Sequence, residues 1–197
     1  MRLVFATSNS HKTEEVAAIL GGAWQVEDLR AHPGIVLDEE TGDTFEENAI
    51  IKAVSGSRQL PGLLVLADDS GLEVDALRGA PGVRSARYAG ENATAADNRA
   101  KLKAELARRA MYSRFAGRFR CCMVLARDGE VLHVTHGAVE GSLITREEGE
   151  GGFGYDSLFI PNGFTETFGT LPAETKNQLS HRARALAAMK KKLASLR

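Results

Sequence analysis

The sequence predicts an α/β fold built on a mixed sheet, and three observations carry that reading. Apolar runs of strand length alternate with stretches of helical period through the first half of the chain. The segment Thr44-Phe-Glu-Glu47 is a capping box and marks a helix start. Two long strand-like segments meet at Asp128-Gly129, a two-residue turn that demands an antiparallel pair. A purely parallel, doubly wound sheet has no place for such a hairpin.

Taken in order, Arg2 to Ala6 reads as a first buried strand. Thr7-Ser-Asn-Ser-His-Lys12 then leads into a helix from Thr13 to Leu20, where Val16, Ile19 and Leu20 recur at helical spacing. Gly21-Gly22 ends it. Trp24 to Leu29 is a second strand, and the capped helix runs from Thr44 to about Gln59. On that helix Phe45, Ala49 and Ala53 share a face, bordered by Asn48 and Lys52. Leu63 to Leu66, after Pro61-Gly62, is a short buried strand that ends in Asp68-Asp69, with Gly71 placed for a sharp turn. Thr94-Ala-Ala-Asp97 opens another helix, to about Met111. The hairpin strands are Arg114 to Arg127 and Glu130 to Val139, followed by a short strand with Leu143 and Ile144. Glu148 to Gly154 is a glycine-rich loop, Ser157 to Ile160 a short strand, and Ser180 to Leu196 the final helix. With no repeat and no long linker, residues 1–197 read as a single domain.

Composition narrows the function classes. An apolar share of 43% and a charged share of 26% suit a globular protein with a proper core. A net charge of -1 argues against a broad nucleic-acid-binding face. No run of about 18 apolar residues suggests a membrane span, and the N-terminal segment turns polar too soon for a secretory signal. The cysteines, Cys121 and Cys122, are adjacent, so neither a disulfide frame nor a thiolate metal site is expected, and a reduced cytoplasmic setting follows. His11, His32, His133 and His136 show no metal-ligand spacing.

Five segments carry chemistry. Asp68-Asp69 closes a buried strand with carboxylates, which cost several kcal/mol unpaired in a dry interior. A bound cation can meet that cost; a solvated turn is the plainer alternative. Thr7, Ser8, Asn9 and Ser10 place small polar groups and backbone amides at a helix start, a natural anion site. Lys12 opposes the helix dipole there, a conflict that a phosphate would remove; alternatively Asn9 or Ser10 caps the helix and Lys12 points to water. No Walker-type loop is present. Glu39-Glu40-Thr-Gly-Asp43 offers a carboxylate to join Asp68 or Asp69 around a divalent ion, or else is a solvated acidic loop. In Gly151-Gly-Phe-Gly-Tyr-Asp156, Phe153 and Tyr155 either stack on a planar ligand or plug the core. Arg182 shares a helix face with Leu186, Met189 and Leu193, which places its guanidinium at the buried edge, where it requires acceptors.

Together these segments resemble the inosine triphosphate pyrophosphatase family. The matching stretches, in family order, are Thr7-Ser-Asn-Ser-His-Lys12, Thr44 to Ala53, Ala67-Asp-Asp-Ser-Gly-Leu72, Gly79-Ala-Pro-Gly82 with Ser85-Ala-Arg-Tyr88, Gly151 to Asp156, and Ser180-His-Arg182. Arg108 to Arg118 and the acidic loop Asp38 to Asp43 align less closely. The resemblance implies an elongated mixed sheet flanked by helices, in two lobes with a nucleotide cleft between them, and a homodimer. It implies Mg²⁺-dependent hydrolysis of ITP, dITP and XTP to the monophosphate and pyrophosphate. Thr7 to Lys12 would hold the triphosphate, and Asp69 would bind Mg²⁺ and act as the base. Glu40 is taken as the second metal ligand, with Glu39 and Asp68 as alternatives. Ser70 would touch the nucleotide, while Phe153, Gly154, Tyr155 and Asp156 would hold base and sugar. Lys176, His181 and Arg182 would complete the base pocket. As donors, His181 and Arg182 suit the C6 carbonyl of inosine and xanthosine and oppose the amino group of adenosine. A catalytically silent nucleotide sensor is the rival class; Asp68-Asp69 together with Lys12 favours an enzyme.

Overall fold

Among the described residues, six strands form one sheet in the order β2-β1-β3-β4-β5-β6. They are β1 (Arg2–Phe5), β2 (Gln25–Asp28), β3 (Val65–Val74), β4 (Phe115–Arg127), β5 (Glu130–Leu143) and β6 (Phe159–Pro161). The structure, a computed structural model, describes residues 1–109 and 113–196. β1 pairs in parallel with both β2 and β3, whereas β6 runs antiparallel to β5. β4 and β5 are joined through Asp128 and Gly129, at φ 52° and 86°. Two consecutive left-handed residues are what a two-residue hairpin needs to match the strand twist. The mixed sheet therefore stands as the sequence predicts.

The chain divides into two compact units, and β3, β4 and β5 contribute residues to both. The first comprises Met1–Asp69, Cys121–Gly137 and His181–Arg197. Alternation along its strands sends Leu3, Phe5, Leu66, Cys121, Met123 and Leu125 to one face. There they meet Val16 and Leu20 of α1 (Ser10–Leu20) and Leu186, Met189 and Leu193 of α5 (His181–Ala194). The opposite face presents Val4, Ala6, Val65, Ala67, Cys122, Val124 and Ala126 to Ala49 and Ala53 of α2 (Phe45–Gln59). Small residues on both sides let α2 lie close, which brings the bordering residues Asn48 and Lys52 down to the sheet. The second unit comprises Ser70–Arg120 and Ala138–Ser180. Its core joins Leu72, Val74 and the rings of Phe119, Phe159 and Phe168 to Leu102 and Leu106 of α3 (Ala95–Ala107).

Several elements differ from the sequence reading. β3 does not end at the aspartates but continues to Val74, because both carboxylates find cations and the ladder need not break. Gly71 lies within the strand rather than at a turn. α1 starts at Ser10, three residues early, capped by Asn9. Leu143 is the last residue of β5, not part of a separate strand, and Ser157 belongs to a 3-10 turn before β6. A short helix, α4 (Ala173–Leu179), had no sequence expectation, since seven residues are too few to show a helical period. The expected end of the third helix near Met111 lies outside the described residues. α2 and the start of α3 fall where their capping boxes place them.

Candidate active site

The pleat of β3 separates the two aspartates. Asp68 follows Leu66 to the α1/α5 side, and Asp69 follows Val65 and Ala67 to the α2 side. Asp68 Oδ1 accepts from Lys12 Nζ at 2.9 Å. Its Oδ2 accepts from Arg182 Nε at 3.2 Å and Nη2 at 2.9 Å. Arg182 Nη1 in turn donates to Glu15 Oε2 at 2.5 Å. Burial alone would push the Asp68 carboxyl up, but Lys12, Arg182 and Lys52 outweigh it and hold it well below the usual carboxylate range. Arg182, itself 1% exposed, thus has the acceptors its helix face requires.

On the other side the balance reverses. Asp69 Oδ1 accepts from Lys52 Nζ at 3.1 Å, and the same ammonium donates to Glu40 Oε2 at 3.2 Å. Asn48 Nδ2 reaches Asp69 Oδ2 at 3.4 Å, while Asn48 Oδ1 accepts from the Gly42 amide at 2.8 Å. One cation thus sits between two carboxylates. Burial raises Asp69 above the ordinary value; Lys52 pulls it down, yet Glu40 and Asp68 add to the rise. Lys52 also moves up, since burial is outweighed by Asp69, Asp68 and Glu40. The Lys52–Asp69 pair is therefore one-sided: Asp69 and Glu40, two carboxylates, share one ammonium. That donor set, all oxygen and under-neutralised, fits a hard divalent cation. Glu39 is exposed, so the acidic loop presents Glu40 and not Glu39 to Lys52.

The loop before α1 is organised by its own side chains. Thr7 Oγ1 accepts from the Asn9 amide at 3.1 Å, and Asn9 Oδ1 accepts from the amides of His11 and Lys12. Ser8 and His11 are exposed, and Ser10 is half-buried. Capping by Asn9 and the Lys12–Asp68 pair coexist, so Lys12 neither points to water nor stands alone against the dipole. A phosphate taking those two amides would have to displace the Asn9 carboxamide.

The second unit holds a separate group. Asp156 Oδ2 accepts from Lys176 Nζ at 2.6 Å and from the Phe153 amide at 2.7 Å. The Lys176 ammonium lies 4.5 Å from the centre of the Phe153 ring, a cation–π distance. Gly152, at φ 70°, allows this tight loop, since a Cβ there would overlap the Asp156 carboxylate. Tyr155 is buried, its hydroxyl donating to the Ser85 carbonyl at 2.8 Å, so it plugs the core. Phe153 and Gly154 are half-buried, as is Ser70.

The structure accordingly gathers Lys12, Asp68 and Arg182 into one cluster, Asp69 and Glu40 into a second, and Phe153, Asp156 and Lys176 into a third. His181 is buried at the first position of α5. Sequence reasoning gave no role to Lys52, Asn48 or Glu15. For Lys52 a signal existed: a lysine bordering the Ala49/Ala53 stripe that faces a sheet is placed to be buried, and a buried lysine needs carboxylates.

A model of the Ham1 family matches residues 3–192. A dITP/XTP pyrophosphatase of Desulforamulus reducens is 46% identical over 187 residues, covering 94% of this chain and 92% of that protein. One from Geobacter sulfurreducens is 47% identical over 190 residues, covering 96% and 94%. A solved HAM1 protein from Coxiella burnetii superposes with a TM-score of 0.85 at 38% identity, covering 99% of each chain.

Proposed function

The chain belongs to the Ham1 family, and from that membership we propose that it hydrolyses dITP and XTP, and with them ITP, to the monophosphate and pyrophosphate. The observation that carries the mechanism is the divided aspartate pair, one carboxylate locked between two cations and its neighbour sharing a single ammonium with Glu40.

Asp69 and Glu40 would hold Mg²⁺, and their under-neutralised oxygen set suits it. When bound, the ion offsets phosphate charge and makes a water easier to deprotonate. Asp69 accepts the proton of the water that attacks the α-phosphorus, since Asp68 is held between Lys12 and Arg182 and has no such freedom. The bond from the α-phosphorus to the bridging oxygen breaks, and pyrophosphate leaves with the electron pair. Lys12, with Thr7 to His11, holds the triphosphate, Lys12 exchanging part of its pairing with Asp68 for a phosphate oxygen. Lys52 keeps the Asp69 and Glu40 side chains in position.

For the purine, Phe153 offers a ring face, and Lys176 and His181 offer donors to the C6 carbonyl. Asp156 holds Lys176 and the Phe153 amide in place. Ser70 and Gly154 complete the nucleotide contacts in this proposal, and Tyr155 anchors the Gly154 loop from the core through its bond to the Ser85 carbonyl. Arg182 is engaged by Asp68 and Glu15, so its share in base reading requires exchanging one of these carboxylates for the ligand. Homodimer assembly and a cytoplasmic setting belong to the same proposal; among the described residues no helix is long and apolar enough to cross a membrane.

Steady-state hydrolysis of dITP with Mg²⁺ by wild type and Asp69→Asn tests the assignment of the base. The expected result is a loss of about a hundredfold or more in kcat. Near-normal turnover would remove Asp69 from that role.

A further inference from the structure

A second donor set lies on the α2 face of the first unit, built from elements other than the acidic loop. Cys122 on β4 turns its side chain into the core beneath α2 and is 1% exposed. His136 stands two residues beyond Val134, which packs on that core, so the strand period places it on the same face. Glu46 lies in the first turn of α2, three residues before Ala49. One ligand atom from each of the three lies within 4.8 Å of the others. Glu46 Oε2 and His136 Nε2 are 3.2 Å apart. A tetrahedral ion with bonds of about 2.0 Å sets its nitrogen and oxygen ligands roughly 3.3 Å apart, so this edge of the polyhedron is already formed. The remaining approach, about an ångström toward the sulfur, falls to the two mobile partners. Their side chains are 49% and 62% exposed, while Cys122 is fixed by its packing.

We propose that Cys122, His136 and Glu46 bind a borderline-soft divalent ion of the Zn²⁺ class, with three protein ligands and a fourth position open to solvent. The chemistry of the set separates it from the Mg²⁺ assigned to Asp69 and Glu40. Mg²⁺ takes oxygen ligands in octahedral geometry, whereas thiolate with imidazole and carboxylate selects Zn²⁺ or Co²⁺. Burial pushes the Cys122 thiol up to about 12, and the carboxylates of Glu46, Asp69 and Asp68 add to the rise. The same negative field favours a cation, and coordination releases the thiol proton to solvent. The site does not depend on the proposed hydrolysis.

The test is titration of the untagged, metal-free full chain with Co²⁺, followed by Zn²⁺. The expected result is one tetrahedral Co²⁺ per chain, with a sulfur-to-cobalt charge-transfer band and strong visible absorption, both lost when Zn²⁺ is added, whatever pale octahedral Co²⁺ the oxygen site takes. His136→Ala and Glu46→Gln should each weaken Co²⁺ binding by at least about tenfold. Cys122→Ala should abolish the charge-transfer band; should that buried change prevent folding, His136→Ala, at an exposed position, decides alone. Co²⁺ bound only with the pale spectrum of an octahedral oxygen site overturns the proposal, as does unchanged affinity in His136→Ala.

Discussion

Asp68 and Asp69 are the same side chain one residue apart, and the pleat of β3 gives them opposite thermodynamic signs. Asp68 is buried against Lys12 and Arg182, and its pKa is depressed. Its contribution is therefore present above the unfolded carboxylate pKa of about 3.9 and is lost as pH falls toward the folded value. Asp68→Asn should cost about 3–5 kcal/mol at pH 7, by leaving Arg182 under-paired, and the gap to wild type should narrow below about pH 4. Urea unfolding at several pH values reads this directly. Asp69 is raised, so its contribution is present below the unfolded pKa and lost as pH rises. Without Mg²⁺, Asp69→Asn should show a Tm at pH 7 no lower than wild type, the two curves converging in acid. A neutral-pH loss comparable to that of Asp68→Asn would contradict the division of roles. The pair itself was legible in the sequence, because two carboxylates after an apolar run are costly. Which cation each would take was not, since Lys52 and Arg182 lie 17 and 114 residues from their partners.

At the scale of elements, legibility followed local chemistry. The capping boxes at Thr44 and Thr94 fix two helix starts through bonds among residues three apart, and the Asp128-Gly129 turn fixes the hairpin in the same local way. β3 was misread because its length depends on ion pairs with α1, α2 and α5, which no local window contains. α4 was missed for lack of length; the apolar period alone starts α1 at Thr13, whereas the alternative cap at Asn9 starts it at Ser10, where it lies. The α2 cap also bears on the site. Glu47 accepts from the amides of Asp43 and Thr44, and Asn48 accepts from Gly42, so the helix start holds the end of the acidic loop that carries Glu40. Thr44→Ala should cost about 1 kcal/mol, seen as a lower urea midpoint at unchanged slope. In the proposed enzyme it should also raise the Mg²⁺ concentration needed for half-maximal turnover. An unchanged Mg²⁺ requirement would mean that the cap stabilises the helix without positioning Glu40.

For the whole molecule, six dispersed segments carried the family, and the Ham1 match over residues 3–192 establishes it. Each unit has its own apolar core, and each brings a different chemistry. The first holds the Lys12–Asp68 and Lys52–Asp69 ion pairs, and the second holds an aromatic face with a lysine. Removing divalent ions with a chelator should abolish turnover, and Mg²⁺ should restore it. The most direct measurement is product analysis after incubation with dITP and Mg²⁺, with dATP as the comparison. The account predicts dIMP and pyrophosphate in equal amounts, formed much faster than the corresponding products from dATP. Release of orthophosphate and dIDP, or equal rates on both nucleotides, would contradict it.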